Sequence, residues 1–503
     1  MDQIVDGFSA DREAMERLNH VFRLQKDAFL RDPYPTADKR IELLQRVPPM
    51  LRKNRQRILD ALDADFGGHS HDQSDLLEIL SMFERAKFNV DHVKKWMRPV
   101  PKASNPVTQG NSKVYIKYHP KGVIGNMVAW NFPFDIGIGP MLDALAAGNR
   151  VIVKPSDLAP NCGRVLEEMI RETYEEDRVA VVNGGLDLAR NFPKLPWDHL
   201  VYTGSGPIAK EVMKSAAENL VPVTLECGGK NPTIVGEDRV IDPSTIATIA
   251  GVKVIKRGQM CVTADYCLVP EARLGEFTDA LSSYMKANFT DRNAAAHACG
   301  IINDRHMARL QKMVDDARAA GAKVIQIGSD LTSGNRDMPF YIVVDPSDDL
   351  DLMKYEIFGP ILPIKTYKSP ADAIRYINKG GKPLGLYVFS GNKEFVDEIT
   401  LNTQSGGVAV NIIAIQAGQP SMAFGGVGAS GMGRHHGEEG FHEFSNPRGY
   451  FERGVGGTLD WILPPYGAGT RFLIDKVAYA NTLQQLKFAV KILPKNILAR
   501  MRG

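Results

Sequence analysis

Between residues 122 and 225, short apolar runs alternate with helical stretches, and this constrains the fold more than any other feature of the chain. The runs at 123–129, 150–153, 179–183, 200–202 and 222–225 are too short for helices. The stretches 135–147, 161–175 and 207–219 between them have helical spacing. Such alternation predicts a parallel sheet with helices on both faces, whose ligands bind beyond the carboxyl ends of the strands. After Pro232 a second α/β run begins. Its expected strands are 233–235, 262–269, 323–327, 340–344, 385–389 and 408–411, and its expected helices are 243–256, 273–288, 303–320, 370–379 and 392–402.

The flanks read differently. Helices are expected over 11–31, 36–66 and 74–97, followed by a Pro- and Lys-rich arm at 98–118 that ends in the alternating Lys113-Val114-Tyr115-Ile116-Lys117-Tyr118. Segment 424–433 is too rich in glycine for regular helix and reads as an ordered loop. His69 and His71, in Gly-His-Ser-His, read as exposed loop histidines, and no metal site is expected. From Arg471 to Gly503, seven basic side chains face one acidic one, interleaved with apolar residues. A basic amphipathic tail of this kind suits an anionic membrane surface; packing on its own body or a second subunit is the favoured reading.

Composition narrows the function classes. At 503 residues the chain exceeds a single core, so two or three domains are expected. A net charge of +2 gives no case for a nucleic-acid partner. Five cysteines, an odd number without regular spacing, argue for a reducing compartment. With no basic-then-apolar leader and no apolar run near the roughly 20 residues of a membrane span, a cytoplasmic location is expected.

Three motifs carry chemistry. Cys261 follows Lys256-Arg257-Gly258-Gln259-Met260. A thiol attacks as thiolate, so it needs positive potential or a base nearby, and Lys256 and Arg257 supply charge locally; on this stretch alone a buried structural cysteine is the favoured reading. Gly204-Ser205-Gly206-Pro207-Ile208-Ala209 fits a dinucleotide fingerprint between a strand and a helix, and that fingerprint nominates Glu226, about 20 residues on, as a ribose ligand. Lys154 and Asp157 end a strand, where they read either as a pair able to reach ribose hydroxyls or as a surface pair, and Asn131 ends another, where its amide either suits a developing oxyanion or caps a turn.

Taken together, Trp130-Asn131-Phe132-Pro133, Lys154-Pro155-Ser156, Tyr202-Thr203-Gly204-Ser205, Thr224-Leu225-Glu226-Cys227-Gly228-Gly229-Lys230, Gly258-Gln259-Met260-Cys261, Glu356-Ile357-Phe358-Gly359-Pro360 and Phe424-Gly425-Gly426-Val427-Gly428 resemble the aldehyde dehydrogenase superfamily, closest to its class 3 and coniferyl-aldehyde branch, over residues 36–452. The resemblance implies an α/β fold with a Rossmann-type NAD(P)-binding domain (1–97 and 119–226), a second α/β catalytic domain (227–432) and a bridging β arm (98–118 and 433–460) that joins a homodimer, ahead of the tail 461–503. It implies Cys261 as nucleophile, Asn131 for the oxyanion, and Glu226 as the base that hydrolyses a thioester, displacing the ribose assignment. Lys154 and Asp157 would hold the adenosine ribose, Gly204 and Ser205 the pyrophosphate, and Glu356 and Phe358 the nicotinamide end. Asp157 stands where a longer Glu is usual, which leaves NAD and NADP both open. Asn411-Ile412-Ile413-Ala414-Ile415-Gln416 lacks the usual Asp after its Asn, implying a more apolar substrate entrance. The expected activity is oxidation of an apolar or aromatic aldehyde to its acid. The rivals are a CoA-acylating dehydrogenase and a non-catalytic binding protein on the same fold.

Overall fold

The structure is a computed structural model that describes residues 2–289, 299–328, 336–487 and 490. Two compact units divide the chain: Met1–Val93 with Pro120–Phe444, and Lys94–His119 with Ser445–Gly503.

The larger unit contains two sheets. The first has the order Gly431–Met432, Val223–Cys227, His199–Gly204, Val123–Met127, Arg150–Lys154, Val179–Val181. All its neighbours are parallel except the outermost pair, Gly431–Met432 on Val223–Cys227. Chain order reverses on either side of Val123–Met127, so the crevice for a ligand opens beside the carboxyl end of that strand. The central strands Val123–Met127 and Arg150–Lys154 are buried along their length because helices cover both faces. Leu18 and Val21 of the N-terminal helix close one core against Val123, Ile152 and Leu200. The second sheet runs Lys323–Ile327, Phe340–Val344, Ile361–Tyr367, Tyr266–Pro270, Pro232–Val235, Gly385–Phe389, Gly407–Val410, again parallel but for its first pair. The α/β expectation holds in both halves.

Local departures have physical causes. The expected helix 36–66 breaks at Arg46, because Pro48 and Pro49 lack the N–H groups that would continue it. The stretch 74–97 begins with a wide π turn, Asp75–Leu80, before regular helix Ser81–Trp96. The strand expected from 262 starts at Tyr266. The carbonyls of Cys261 and Thr263 accept hydrogen bonds from the Asn231 side chain (2.7 and 2.9 Å), so this stretch is a turn. His69 is not an exposed loop residue: it is buried, 2.8 Å from the Ser74 hydroxyl, and desolvation lowers its pKa to about 3. His71 is exposed.

Part of the glycine-rich segment is a strand. Gly431 pairs with Glu226 and Met432 with Leu225. At Gly431 φ is +141°, and a Cβ there would lie 2.1 Å from the Leu225 carbonyl oxygen. Gly431→Ala is therefore expected to cost at least ~2 kcal/mol. Gly251→Ala, in a helix with open space around it, is expected to be neutral or stabilising by up to ~1 kcal/mol. Denaturant unfolding of the two variants checks this.

In the smaller unit Val100–Pro101, Lys113–Pro120 and Ser445–Glu452 form a three-stranded sheet. Tyr115 and Tyr450 stack at 5.0 Å, and the Tyr115 hydroxyl donates to Glu452 (2.7 Å). Among the described residues no helix is long and apolar enough to cross a membrane. Of the basic tail, 488–489 and 491–503 lie outside the described residues, including Lys491, Lys495, Arg500 and Arg502.

Candidate active site

Cys261 is delivered by an unusual turn. The helix Pro243–Val254 ends in residues with left-handed backbone, Lys256 (φ 47°), Arg257 (φ 51°) and Gly258 (φ 69°). Such conformations cost non-glycine residues of order 1 kcal/mol or more each and persist only where the surroundings hold them. Here the Lys256 N–H donates to Gln73 Oε1 (2.8 Å). The Gln259 amide donates to the carbonyls of Lys256 and Gly300 (3.0 Å each), and its oxygen accepts from the Ile302 N–H (3.1 Å).

The two cations before Cys261 do not serve its thiolate. Lys256 Nζ is fully buried and donates to Glu78 Oε1 (2.5 Å) and the Asn131 carbonyl (2.6 Å), while Arg257 pairs with Asp337 (2.5 Å). Glu78 in turn accepts the N–H groups of Phe134 and Asp135 at the start of helix Asp135–Ala147. One buried ion pair thus pins the Cys261 turn to the Asn131 turn. Lys256→Met is expected to destabilise by ~3–5 kcal/mol by leaving Glu78 buried and uncompensated, and adding Glu78→Gln is expected to restore most of that in chemical unfolding.

Cys261 opens onto a cavity of about 400 Å³ whose wall also carries Glu226, Thr203, Phe132, Val262, Ile413 and His435. Leu76, Leu80 and Ile415 line it too and are themselves exposed, at 58%, 48% and 63%. Burial pushes the Cys261 thiol up, and the Glu356 and Glu226 carboxylates add to this. Glu226 is 4% exposed, neither of its oxygens has a hydrogen-bond partner among the described residues, and burial raises its pKa well above the usual carboxylate value. Asn131, also buried, donates to the Gln259 carbonyl (3.2 Å), two residues before the cysteine.

The nucleotide candidates sit where the first sheet's chain order reverses. Lys154 ends its strand and donates to the Pro155 carbonyl (2.9 Å); Asp157, exposed in the turn beyond, is the main charge that counters the effect of burial on Lys154. Ser205 caps helix Gly206–Ala217 without using its side chain, and nothing crowds Gly206, so the first N–H groups of that helix are open. Glu356 Oε1 is buried without a partner, and burial raises this carboxyl to about 8. A Cβ on Gly228 would strike it at 2.1 Å. Phe358 (φ 49°) meets Trp130 edge-on at 5.4 Å. Open helix N–H groups suit a pyrophosphate, and unpaired carboxylate oxygens suit ribose hydroxyls, so these residues fit a dinucleotide.

Glu78 and His435 were not singled out in the sequence. Each acts on a partner far away along the chain, and no local pattern marks either.

Two doubly wound sheets meeting across a thiol-bearing cavity are the architecture of a cofactor-dependent oxidoreductase. The aldehyde dehydrogenase family model matches residues 12–449, and the chain belongs to that family. A Pseudomonas aeruginosa protein described as "Probable coniferyl aldehyde dehydrogenase" is 38% identical over 466 residues, 93% of this chain and 97% of that one. The mouse "Aldehyde dehydrogenase, dimeric NADP-preferring" is 33% identical, covering 88% of this chain and 96% of its own. The substrate-bound state of Staphylococcus aureus AldH superposes with a TM-score of 0.84 at 32% identity, over 91% of this chain and 98% of that one. Oxidation of an aldehyde to its carboxylic acid, with NAD or NADP as acceptor, is the activity this membership carries.

Proposed function

We propose that this chain oxidises an apolar or aromatic aldehyde, coniferyl-aldehyde-like or medium- to long-chain aliphatic, through a thiohemiacetal and a thioester on Cys261. The observation that carries the reading is the cavity: Cys261 and Glu226 share a wall otherwise made mostly of apolar residues, among them Leu, Ile, Val, Phe, Met, Ala and Pro. The name of the coniferyl relatives fits that lining.

The residues divide the work. The Cys261 sulfur bonds to the aldehyde carbon, and the carbonyl π pair moves to oxygen. The Asn131 amide swings from the Gln259 carbonyl to hold that oxyanion with the Cys261 N–H. Collapse of the adduct expels hydride and leaves the thioester. Bound NAD or NADP supplies a hydride acceptor at this point and a positive charge that favours the thiolate. Glu226 then takes a proton from water as the water oxygen bonds to the thioester carbon, the C–S bond breaks to release the acid and the Cys261 thiolate, and the proton on Glu226 passes to that thiolate. Lys154, Asp157, Gly204, Ser205, Glu356 and Phe358 would hold the nucleotide, with Lys154 and Asp157 taking its adenosine ribose, where NAD and NADP differ. The division into a nucleotide domain, a catalytic domain and an arm follows the same reading. So do a homodimer joined through the arm and a cytoplasmic location, with the tail packed on protein rather than membrane.

Reduced-nicotinamide formation with NAD and NADP in parallel, against cinnamaldehyde-type, benzaldehyde-type, long-chain and small hydrophilic aldehydes, tests the substrate class. The expected result is a kcat/KM that rises with apolar size, roughly tenfold for every two buried methylenes. Equal or better turnover of the hydrophilic aldehydes overturns the reading.

A further inference from the structure

Glu226 poses a problem that the mechanism leaves open. A base must be ionised and aimed, yet both carboxylate oxygens are buried without a hydrogen-bond donor among the described residues. A candidate donor is His435 Nε2, 3.8 Å from Glu226 Oε1, and both side chains line the cavity that Cys261 opens onto. His435 is held in place. Its N–H and carbonyl both bond to Phe424 (2.8 and 2.9 Å), closing a bridge around the segment whose Gly431 pairs with Glu226. Next along the chain, the His436 N–H donates to Asp143 (3.0 Å) and its ring stacks on Phe424.

We propose that His435 is the positioning residue of the hydrolytic half-reaction: as neutral imidazole it donates Nε2–H to Glu226, keeping the carboxylate ionised and turned toward the water that attacks the thioester. The contact closes by about 1 Å to reach hydrogen-bond distance. The charges around the pair favour this protonation state. Burial opposes an imidazolium at His435 most, and Arg85, from helix Ser81–Trp96, and Arg434 oppose it further. At Glu226 burial is the largest influence and disfavours the carboxylate, Arg434 favours it, and Glu443 disfavours it. Asp143 is engaged by Arg85, Asn89 and the His436 N–H, and His436 is itself buried. Among the described residues the Nδ1 atom of His435 has no partner, which leaves the tautomer with hydrogen on Nε2 unopposed by any of them. No proton is transferred between His435 and Glu226; the ring fixes where the carboxylate points and how readily it ionises.

The inference rests on Glu226 being the thioester base, and the test separates the two. His435→Phe and His435→Gln are compared with the parent and with Glu226→Gln by rapid mixing across pH. His435→Phe is expected to keep the fast first formation of reduced nicotinamide and to slow the later steady state by about tenfold or more, the effect of losing one hydrogen bond to a charged group. Its rising pH limb is expected to move to higher pH. The side-chain amide of His435→Gln supplies a donor and is expected to recover most of the rate. In a Glu226→Gln background, His435→Phe is expected to change little. Slowing of the first phase instead, unchanged hydrolysis and pH limb in His435→Phe, or the same loss with Glu226 already replaced would overturn the role of His435. Failure of both variants to fold would make His435 architectural and also overturn it. If Glu226→Gln alone gives no burst, the reading of Glu226 is what fails.

Discussion

Cys261→Ala is expected to lower aldehyde-dependent nicotinamide reduction by a factor of roughly a thousand or more, with cofactor affinity little changed. Removing a nucleophile abolishes the covalent route, while the nucleotide crevice stays intact. The nucleotide candidates Lys154, Ser205 and Glu356 lie on other elements, so binding and chemistry separate cleanly. The measurement pairs steady-state rates with cofactor binding followed by fluorescence or calorimetry. A second signature is pH. The parent thiol is raised by burial and by the carboxylates of Glu356, Glu226 and Asp135. Thiolate is the reactive form, so its fraction grows with pH and the rate of the first turnover should climb on the alkaline side. A first-turnover rate that falls as pH rises would contradict an attack by Cys261.

Glu226→Gln is expected to leave acylation fast and to stall release. Mixing the variant with aldehyde and cofactor should give a burst of reduced nicotinamide close to the concentration of active sites. A steady state slower than the parent by a factor of about 100 to 10,000 should follow, the range that a positioned general base contributes. The substitution keeps the shape of the side chain and removes only its basicity. Both Glu226 oxygens lack partners among the described residues, so the neutral amide disturbs no existing hydrogen bond there. Burial raises the Glu226 pKa, and the base works when ionised. The hydrolytic limb of the parent should therefore rise at a pH above the usual carboxylate range.

Much of this was legible from residue patterns, because the helices and strands of the sheets are set by apolar periodicity close to home. Runs such as Val151-Ile152-Val153 are buried on both faces and read as strands without tertiary information. The departures arise where a distant partner outbids the local pattern. Val262 and Thr263 look β-prone, yet the Asn231 amide takes the flanking carbonyls and holds a turn. Lys256 reads as a charge for its neighbour Cys261 and instead serves Glu78, 178 residues away. Gly431 reads as loop, and only the sheet edge beside Leu225 explains why a glycine must stand there. His69 lost its exposed reading to burial beside Ser74. The apolar entrance expected from Ile412 to Ile415 fits the cavity wall, where Ile413, Ala414 and Ile415 all appear.

The most direct measurement is product stoichiometry for a cinnamaldehyde-type aldehyde with the better of NAD and NADP, with and without CoA. The account predicts equal amounts of reduced nicotinamide and free carboxylic acid, at a rate indifferent to CoA. A CoA thioester as the product would contradict hydrolysis by Glu226, and no reduction of either cofactor would contradict the assignment of Cys261 to aldehyde oxidation.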